Sequence, residues 1–486
     1  MTATESGGAL PLEAQAPGLS PMARARAILG GSAGNLVEWY DWFAYSAFTL
    51  YFAHHFFPKG DQTAQLLQAA AIFAVGFLAR PIGAWLMGFY ADRVGRKAAL
   101  ALSVALMSAG SFAIAIIPGY DVIGVWAPAL LTVARLVQGL SVGGEYGASA
   151  TYLSEMAGRS RRGFWSSFQY LTLISGQLCA TLVLLVLQHT LAKGDLDAWG
   201  WRIPFAIGGL LAIVVFWIRS GLDETASFKT VAADQKARLD PAHLRWILGL
   251  LAVALIACAL VFRSGDANAL SISIAILVAW QLSLMGPLLA RHPREVLAVV
   301  GLTAAGSLSF YAYTTYMPKF LVNTAHFDKD AATLISAGSL LLYAAIQPAF
   351  GALSDRIGRK PGLAFTFGLG ALLTYPIFSQ IAHTHAVGPA FLLVAALVVI
   401  HSGYSSISAV VKAELFPAHV RALGVALPYA IGNTVFGGTA EYVALWFKSQ
   451  KLEAGFYIYV AAIMAIALVI GLLLRDTGRK SMILED

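Results

Sequence analysis

Charge is what this chain has least of: 12% of its 486 residues are Asp, Glu, Lys or Arg, about half the share of a soluble domain. So few ionic groups cannot cover a water-facing surface, which excludes an ordinary soluble globule. Cysteine is nearly absent. Cys179 and Cys258 are the only two and both lie in apolar runs, so neither a disulfide framework nor a thiolate metal centre is expected. Residues Met1 to Pro21 are rich in Ala, Gly, Pro and Ser and lack an apolar core, which reads as a disordered tail over 1–27 and not as a cleavable signal. Catalytic signatures are missing too. There is no His-Glu-x-x-His, and Gly95-Arg96-Lys97 lacks the spacing of a phosphate-binding loop. Gly30-Gly31-Ser32-Ala33-Gly34 has the letters of a nucleophile elbow, but no strand precedes it and it opens an apolar helix. No enzyme activity, cofactor or metal is expected, and any transport must run on an ion gradient. The formal charge of +7 does not point to nucleic acid, because the cations sit in short loops between apolar runs and not on one face.

What is present is hydrophobic residue, 58% of the chain, with a mean hydropathy of +0.69. Gly88-Phe89-Tyr90-Ala91-Asp92-Arg93-Val94-Gly95-Arg96-Lys97 recurs 263 positions later as Gly351-Ala352-Leu353-Ser354-Asp355-Arg356-Ile357-Gly358-Arg359-Lys360. A second pair follows at nearly the same offset, Glu155 with Arg162 and Glu414 with Arg421. The chain is therefore expected to be a duplicated membrane protein with a tight basic loop in each half.

A spanning helix needs about 20 mostly apolar residues. By that rule the first half has spans near 28–53, 67–90, 98–118, 126–150, 164–190 and 202–221, and the second near 296–322, 332–353, 361–382, 387–411, 422–447 and 455–474. A polar linker covers 222–245. Two further apolar runs, 246–262 and 269–291, read as an inserted two-helix hairpin, for about 14 helices in all; an amphipathic linker helix with an interfacial segment is the alternative. With the amino terminus inside, the inner loops hold 23 Lys and Arg and the outer ends 8, so both termini, including the tail at 475–486, are expected to be cytoplasmic.

Ionisable groups at membrane depth are expensive and mark function. Asn35, Glu38, Asp41 and Tyr45 share one face of the first helix, and carboxylates held there suit the binding and release of a proton. Alternatively they only pair with Arg80 or Arg135. Arg80 lies too deep in the second helix to reach the surface, and its planar fork suits a carboxylate substrate. Arg202, beside Trp199 and Trp201, could equally be an interfacial anchor. Gly139, Gly143 and Gly147 form a small-residue stripe that allows close helix approach, and Glu145 adds a third acid. The second half replaces the acids with Tyr311, Tyr313, Thr314, Thr315 and Tyr316, a stripe that more often packs helices. His401, Asn433 and Glu441 rank as structural.

Two six-helix halves with basic, acid-containing loops after their second helices resemble the major facilitator superfamily of secondary transporters. The Arg135 to Gly147 stretch resembles its fourth-helix motif, associated with proton coupling, and Phe164 to Leu187 lacks the antiporter Gly-Pro signature. Gly34 to Tyr45, Phe77 to Gly83, Gln138 to Gly147, Gly200 to Phe205 and Leu222-Asp223-Glu224-Thr225 are similar to the metabolite:proton symporter family. Further stretches, Ser167 to Tyr170, Gly306 to Met317, Lys319 to Ala325 and Phe436 to Val443 among them, look like members that take up 2-oxoglutarate. The resemblance implies proton-coupled 2-oxoglutarate uptake by alternating access, in a bacterial cytoplasmic membrane, by a chain expected to function as a monomer in the lipid bilayer. It implies that Arg80 and Arg202 bind the carboxylates, with Tyr45 and Tyr313 lining the site. Glu38, Asp41, Arg135 and Glu145 would handle the proton. Gly88, Asp92, Arg93, Gly95 and Arg96, with Asp355, Arg356, Gly358 and Arg359, would form the gate. Symport of shikimate, citrate or a zwitterionic osmolyte, or a transport-inactive sensor, are the other readings.

Overall fold

In hydrocarbon a chain must satisfy its backbone hydrogen bonds internally, so long apolar runs become helices. The computed structural model describes residues 21–94, 96–143, 154, 159–220, 285–477 and 481, and among them there is helix and no strand. The first half supplies α1 (Pro21–Phe56), α2 (Gln62–Val94), α3 (Arg96–Ile116) and α4 (Trp126–Gly143). It continues with α5 (Phe168–Thr190, led in by Arg162–Ser166) and α6 (Ile203–Ser220). The second half begins with α7, which runs Pro293–Phe310, widens into a π turn at Tyr311–Thr315 and resumes over Met317–Asn323. Then come α8 (Lys329–Ile357), α9 (Arg359–Ala382) and α10 (Val387–Ser405, then Ser408–Ala413). The last two are α11 (Ala418–Gly432, a π turn at Asn433–Gly438, then Ala440–Ser449) and α12 (Glu453–Leu473). Among the described residues, seven helices are long and apolar enough to cross a membrane by length and composition.

Each of the twelve expected spans overlaps one of these helices; residues 144–150 of the fourth lie outside the described residues. The first is already helical at Pro21, where the described residues begin. The linker at 222–245 and residues 246–284 of the expected hairpin lie outside the described residues; its far end, Gly286–Arg291, is helical and leads into α7.

Duplication is visible in the packing. In the first half α1 packs on α5, α2 on α4 and α3 on α6; in the second, α7 packs on α11, α8 on α10 and α9 on α12. The halves meet where α2 packs on α11 and α5 on α8, two contacts that the same pseudo-twofold exchanges. The small-residue stripe sets the α2–α4 distance. A Cβ on Gly139 would stand 2.0 Å from the Gly76 carbonyl oxygen, and one on Gly143 1.9 Å from that of Arg80. Gly147 lies outside the described residues.

Pro81 inside α2 has no N–H to give the Phe77 carbonyl four residues back. Thr434 Oγ1, from the π turn of α11, donates to that carbonyl at 3.0 Å. A break in one helix thus becomes a hydrogen bond between the halves, next to Arg80.

Candidate functional site

Both π turns face this junction, and such widened turns recur at functional sites. Arg80, 4% exposed, is enclosed by rings: its guanidinium carbon lies 4.0 Å from the Trp42 and Phe77 centroids and 5.3 Å from that of Trp39. Tyr311 of the second half packs on Phe77 at 5.3 Å. The rings favour a cation but offer no acceptor to one edge of its guanidinium. Arg80 Nε and Nη2 have no partner among the described residues. That pair of N–H groups is the edge with which a guanidinium grips a carboxylate bidentately.

Arg135 stacks on the same Trp42 ring at 4.0 Å and on Tyr45 at 4.5 Å, and is fully buried. Its Nη1 donates to Gln138 Oε1 at 2.7 Å, Gln138 Nε2 donates to Ser111 Oγ at 2.9 Å, and Ser111 Oγ donates to Asp41 Oδ1 at 2.8 Å. The alternative of a direct Asp41–Arg135 ion pair is not what forms: a chain of neutral groups links them instead. Space for the carboxylate comes from α6, where a Cβ on Gly208 would stand 1.6 Å from Asp41 Oδ1. Glu38 is also buried, 3% exposed. Glu145 lies outside the described residues.

The other expected binding residues are distributed differently. Tyr45 gives its hydroxyl to the Ala69 carbonyl at 2.9 Å. Tyr313 pairs with Thr374 Oγ1 and contacts Met464 Sδ at 3.2 Å, within the second half. Arg202 Nη1 donates to the Ala115 and Ile117 carbonyls at the end of α3, at 2.7 and 2.8 Å. That end is on the face where α2 starts, and Arg80 is eighteen residues into α2, about 27 Å along it. Arg202 therefore caps a helix while Arg80 stands apart from it.

The repeat sits at the opposite face. Asp355 accepts from the Gly163 and Phe164 backbone N–H groups of α5 at 2.7 and 2.9 Å, an anion on a helix N-terminus across the two halves. Arg359 bonds Asp355 Oδ1 at 2.9 Å and Glu414 Oε1 at 3.3 Å. The backbones approach closely here, since a Cβ on Gly163 would stand 2.5 Å from the Gly351 carbonyl oxygen. Gly358 turns the chain with φ +91°, a region that favours glycine, and Arg356 is exposed. The expected tail docks on this face: Arg359 N donates to Asp476 Oδ1 at 3.3 Å and Arg162 Nη1 to Ser481 Oγ at 3.2 Å. In the first copy Gly88, Asp92 and Arg93 belong to α2 and Arg96 opens α3, while Gly95 lies outside the described residues.

At the far face Lys329 meets Asp197 at 3.1 Å, both partly exposed, and Gln188 Nε2 donates to Thr333 Oγ1 at 3.0 Å. A cleft of about 170 Å³ there is lined by His54, Gln62, Gln65, Asp197 and Lys329, among others. His54 lies beyond the apolar span of α1, and burial, then the neighbouring His55, hold its imidazole below the ordinary value.

Five cations counted with the loops are in fact buried, Arg162, Lys319, Arg359, Lys412 and Arg421, and the two lysines among them are each 1% exposed. Lys319 Nζ of α7 lies 2.8 Å from Glu441 Oε1 of α11 and donates at 2.8 Å to Ser46 Oγ of α1. The charge count placed Lys319 at the outer end of its span near 296–322, and Glu441 ranked as structural. The signal available was the apolar run on both sides of each.

A family model described as sugar (and other) transporter matches residues 27–475. The alpha-ketoglutarate permease of Escherichia coli strain K12 is 48% identical over 456 residues, 94% of this chain and 95% of that protein. The citrate-proton symporter of Klebsiella pneumoniae is 31% identical over 458 residues, 91% of this chain and 90% of that protein. The proline/betaine transporter of E. coli K12 is 29% identical over 457 residues, 94% and 84% respectively. Among solved structures, the E. coli xylose transporter in a partially occluded inward-open conformation superposes with a TM-score of 0.66 at 16% identity, covering 92% of this chain and 98% of that one. With matches that span both halves in sequence and in fold, this chain belongs to the sugar and other transporter family of the major facilitator superfamily and is a multi-pass membrane transporter.

Proposed function

We propose that the chain takes up 2-oxoglutarate, or a dicarboxylate of similar length, together with protons. The observation that carries this reading is the open Nε and Nη2 edge of Arg80, buried in a box of rings where the halves meet. A buried cation without a counter-charge is costly, and a substrate carboxylate supplies what is missing. The 48% identity to alpha-ketoglutarate permease, over nearly the whole of both chains, supports the substrate; the citrate-proton symporter supports proton coupling.

Asp41, reached from Arg135 through Gln138 and Ser111, takes and releases the proton, with Glu38 and Glu145 as the other acids of the same half. Tyr45 and Tyr313 hold the walls, and Arg202 holds the end of α3 to α6. Transport proceeds by rocking of the halves about the midplane. Asp355, Arg356 and Arg359 and their counterparts Asp92, Arg93 and Arg96 close one face; the Lys329–Asp197 side closes the other. The repeat face is cytoplasmic, both termini are cytoplasmic, and the hairpin brings the helices to about 14. The protein acts as a monomer in a bacterial cytoplasmic membrane and is not an enzyme.

Uptake of labelled 2-oxoglutarate into proteoliposomes, challenged with unlabelled 2-oxoglutarate, citrate, shikimate, proline and betaine, tests the substrate. Strong competition by 2-oxoglutarate and weak competition by the zwitterions is expected. Competition dominated by proline or betaine would overturn the assignment.

A further inference from the structure

A substrate carried by rocking must be held by both halves, yet Arg80 belongs to the first half alone. On the α1 side of the junction the second half brings the buried cation Lys319, whose Nζ already touches Ser46 of α1. Ser46 is four residues beyond Trp42, so both lie on one face of α1, about 6 Å apart along its axis. Arg80 sits over Trp42 and Lys319 at Ser46. The two cations are thus offset by about one helical turn, one from each half, and a five-carbon diacid has a comparable reach. Lys319 has three N–H donors, and Glu441 Oε1 and Ser46 Oγ occupy two of them.

We propose that Lys319 receives the second carboxylate of the substrate, and that Glu441, which holds Lys319 in the empty protein, releases it by taking up a proton. The proposal rests on the dicarboxylate reading and assigns the site in the second half. The proton step follows from burial. Glu441 is 3% exposed and its Oε2 has no hydrogen-bond partner among the described residues. Once a substrate carboxylate takes its place on Lys319, an ionised Glu441 would remain as an unpaired buried charge, a strongly destabilising state. One proton bound at Glu441 removes that charge, and its return to water on the other side lets Glu441 recapture Lys319 and expel the anion.

The test compares labelled 2-oxoglutarate with labelled 2-oxopentanoate, the same chain with a methyl group in place of the second carboxylate, in proteoliposomes. Removing Lys319 alone would strand Glu441, so the pair is neutralised together as K319Q with E441Q. The wild type should prefer the diacid by at least about 100-fold, since a site built for a polar group rejects the analogue that lacks it. In the double variant the preference should fall by at least about tenfold. K319R should keep the preference. E441Q, which imitates the protonated acid, should accumulate 2-oxoglutarate under an acid gradient several-fold less than the wild type, because only the proton carried by Asp41 remains. A double variant that keeps the wild-type preference overturns the assignment of Lys319, and so does loss of the preference in a well-folded K319R. Acid-driven accumulation by E441Q equal to that of the wild type overturns the proton step. If the wild type itself takes up no 2-oxoglutarate, the functional reading fails instead. If the double variant does not fold, the K319R and E441Q results decide.

Discussion

Replacing Asp355 by Asn should open the repeat face without unfolding the protein. Asp355 accepts two backbone N–H bonds from α5 and one from Arg359. Its side chain is 9% exposed and that of Arg359 5%, so solvent screens these contacts little. Asn offers one acceptor oxygen, and its amide group would face a backbone donor. One charge-assisted hydrogen bond and the Arg359 attraction are lost, each worth about 1.5–3 kcal/mol. Allowing for partial relaxation, the closed face loses about 2–4 kcal/mol, or roughly 30- to 1,000-fold in its ratio to the open face. Arg359 keeps Glu414 and Ser354 as partners, which preserves the helix ends. At the other face the Lys329–Asp197 pair is 32% and 42% exposed and worth about 0–1 kcal/mol, so D197N serves as the control. Spin labels at exposed Ser160 and Ile357, in a background with Cys179 and Cys258 replaced, report the distance between the halves at the repeat face. D355N should move most of the population to longer distances and D197N should not. Identical distributions for wild type and D355N would refute the latch.

Three further outcomes follow from the same geometry. R80K should lose nearly as much uptake efficiency as R80A, about 100-fold or about 2.7 kcal/mol, because lysine has no Nε and Nη2 edge; K_M and rate measurements on both variants check this, and a lysine variant within threefold of wild type contradicts it. G208A puts a methyl group where Asp41 Oδ1 lies, an overpacking cost of about 1–3 kcal/mol. It should lower Tm in detergent and reduce acid-driven accumulation more than counterflow, and wild-type accumulation would count against the Asp41 relay. The cleft at His54 should respond to pH. Burial and His55 keep its ring below the ordinary value of about 6.5, with Lys329 adding to the depression and Asp197 opposing it. The closed cleft therefore favours the neutral ring, is most stable above that pH, and weakens as the pH falls and the ring is forced to charge. Labels at Lys59 and Asp328 should separate on acidification in the wild type and much less in H54Q; equal responses would refute this.

Sequence patterns reveal features that are local, and this fold shows the boundary. The apolar runs announced the helices because length alone decides whether a segment can span. The glycine spacing in α4 announced a close helix contact, and the carbonyls of Gly76 and Arg80 stand where that contact falls. Arg80 was conspicuous as a charge inside an apolar run. The relay was not, because Ser111 and Gln138 are unremarkable polar residues, and Ser111 lies 70 positions from Asp41. Only packing of α1, α3 and α4 brings them together. Lys319 escaped as well. It lies close to the end of its expected span, where a lysine reads as a loop charge, and only the packing of α7 on α11 and α1 brings Glu441 and Ser46 to it. Arg202 shows that a motif residue's type does not give its partner: two carbonyls at the end of α3 occupy its guanidinium.

The central claim is that 2-oxoglutarate enters with protons. Its most direct test is accumulation of labelled 2-oxoglutarate in proteoliposomes with an acid exterior, with and without a protonophore. The account predicts accumulation above the external concentration that collapses when the protonophore is added. Uptake that only equilibrates, indifferent to the gradient, would contradict it.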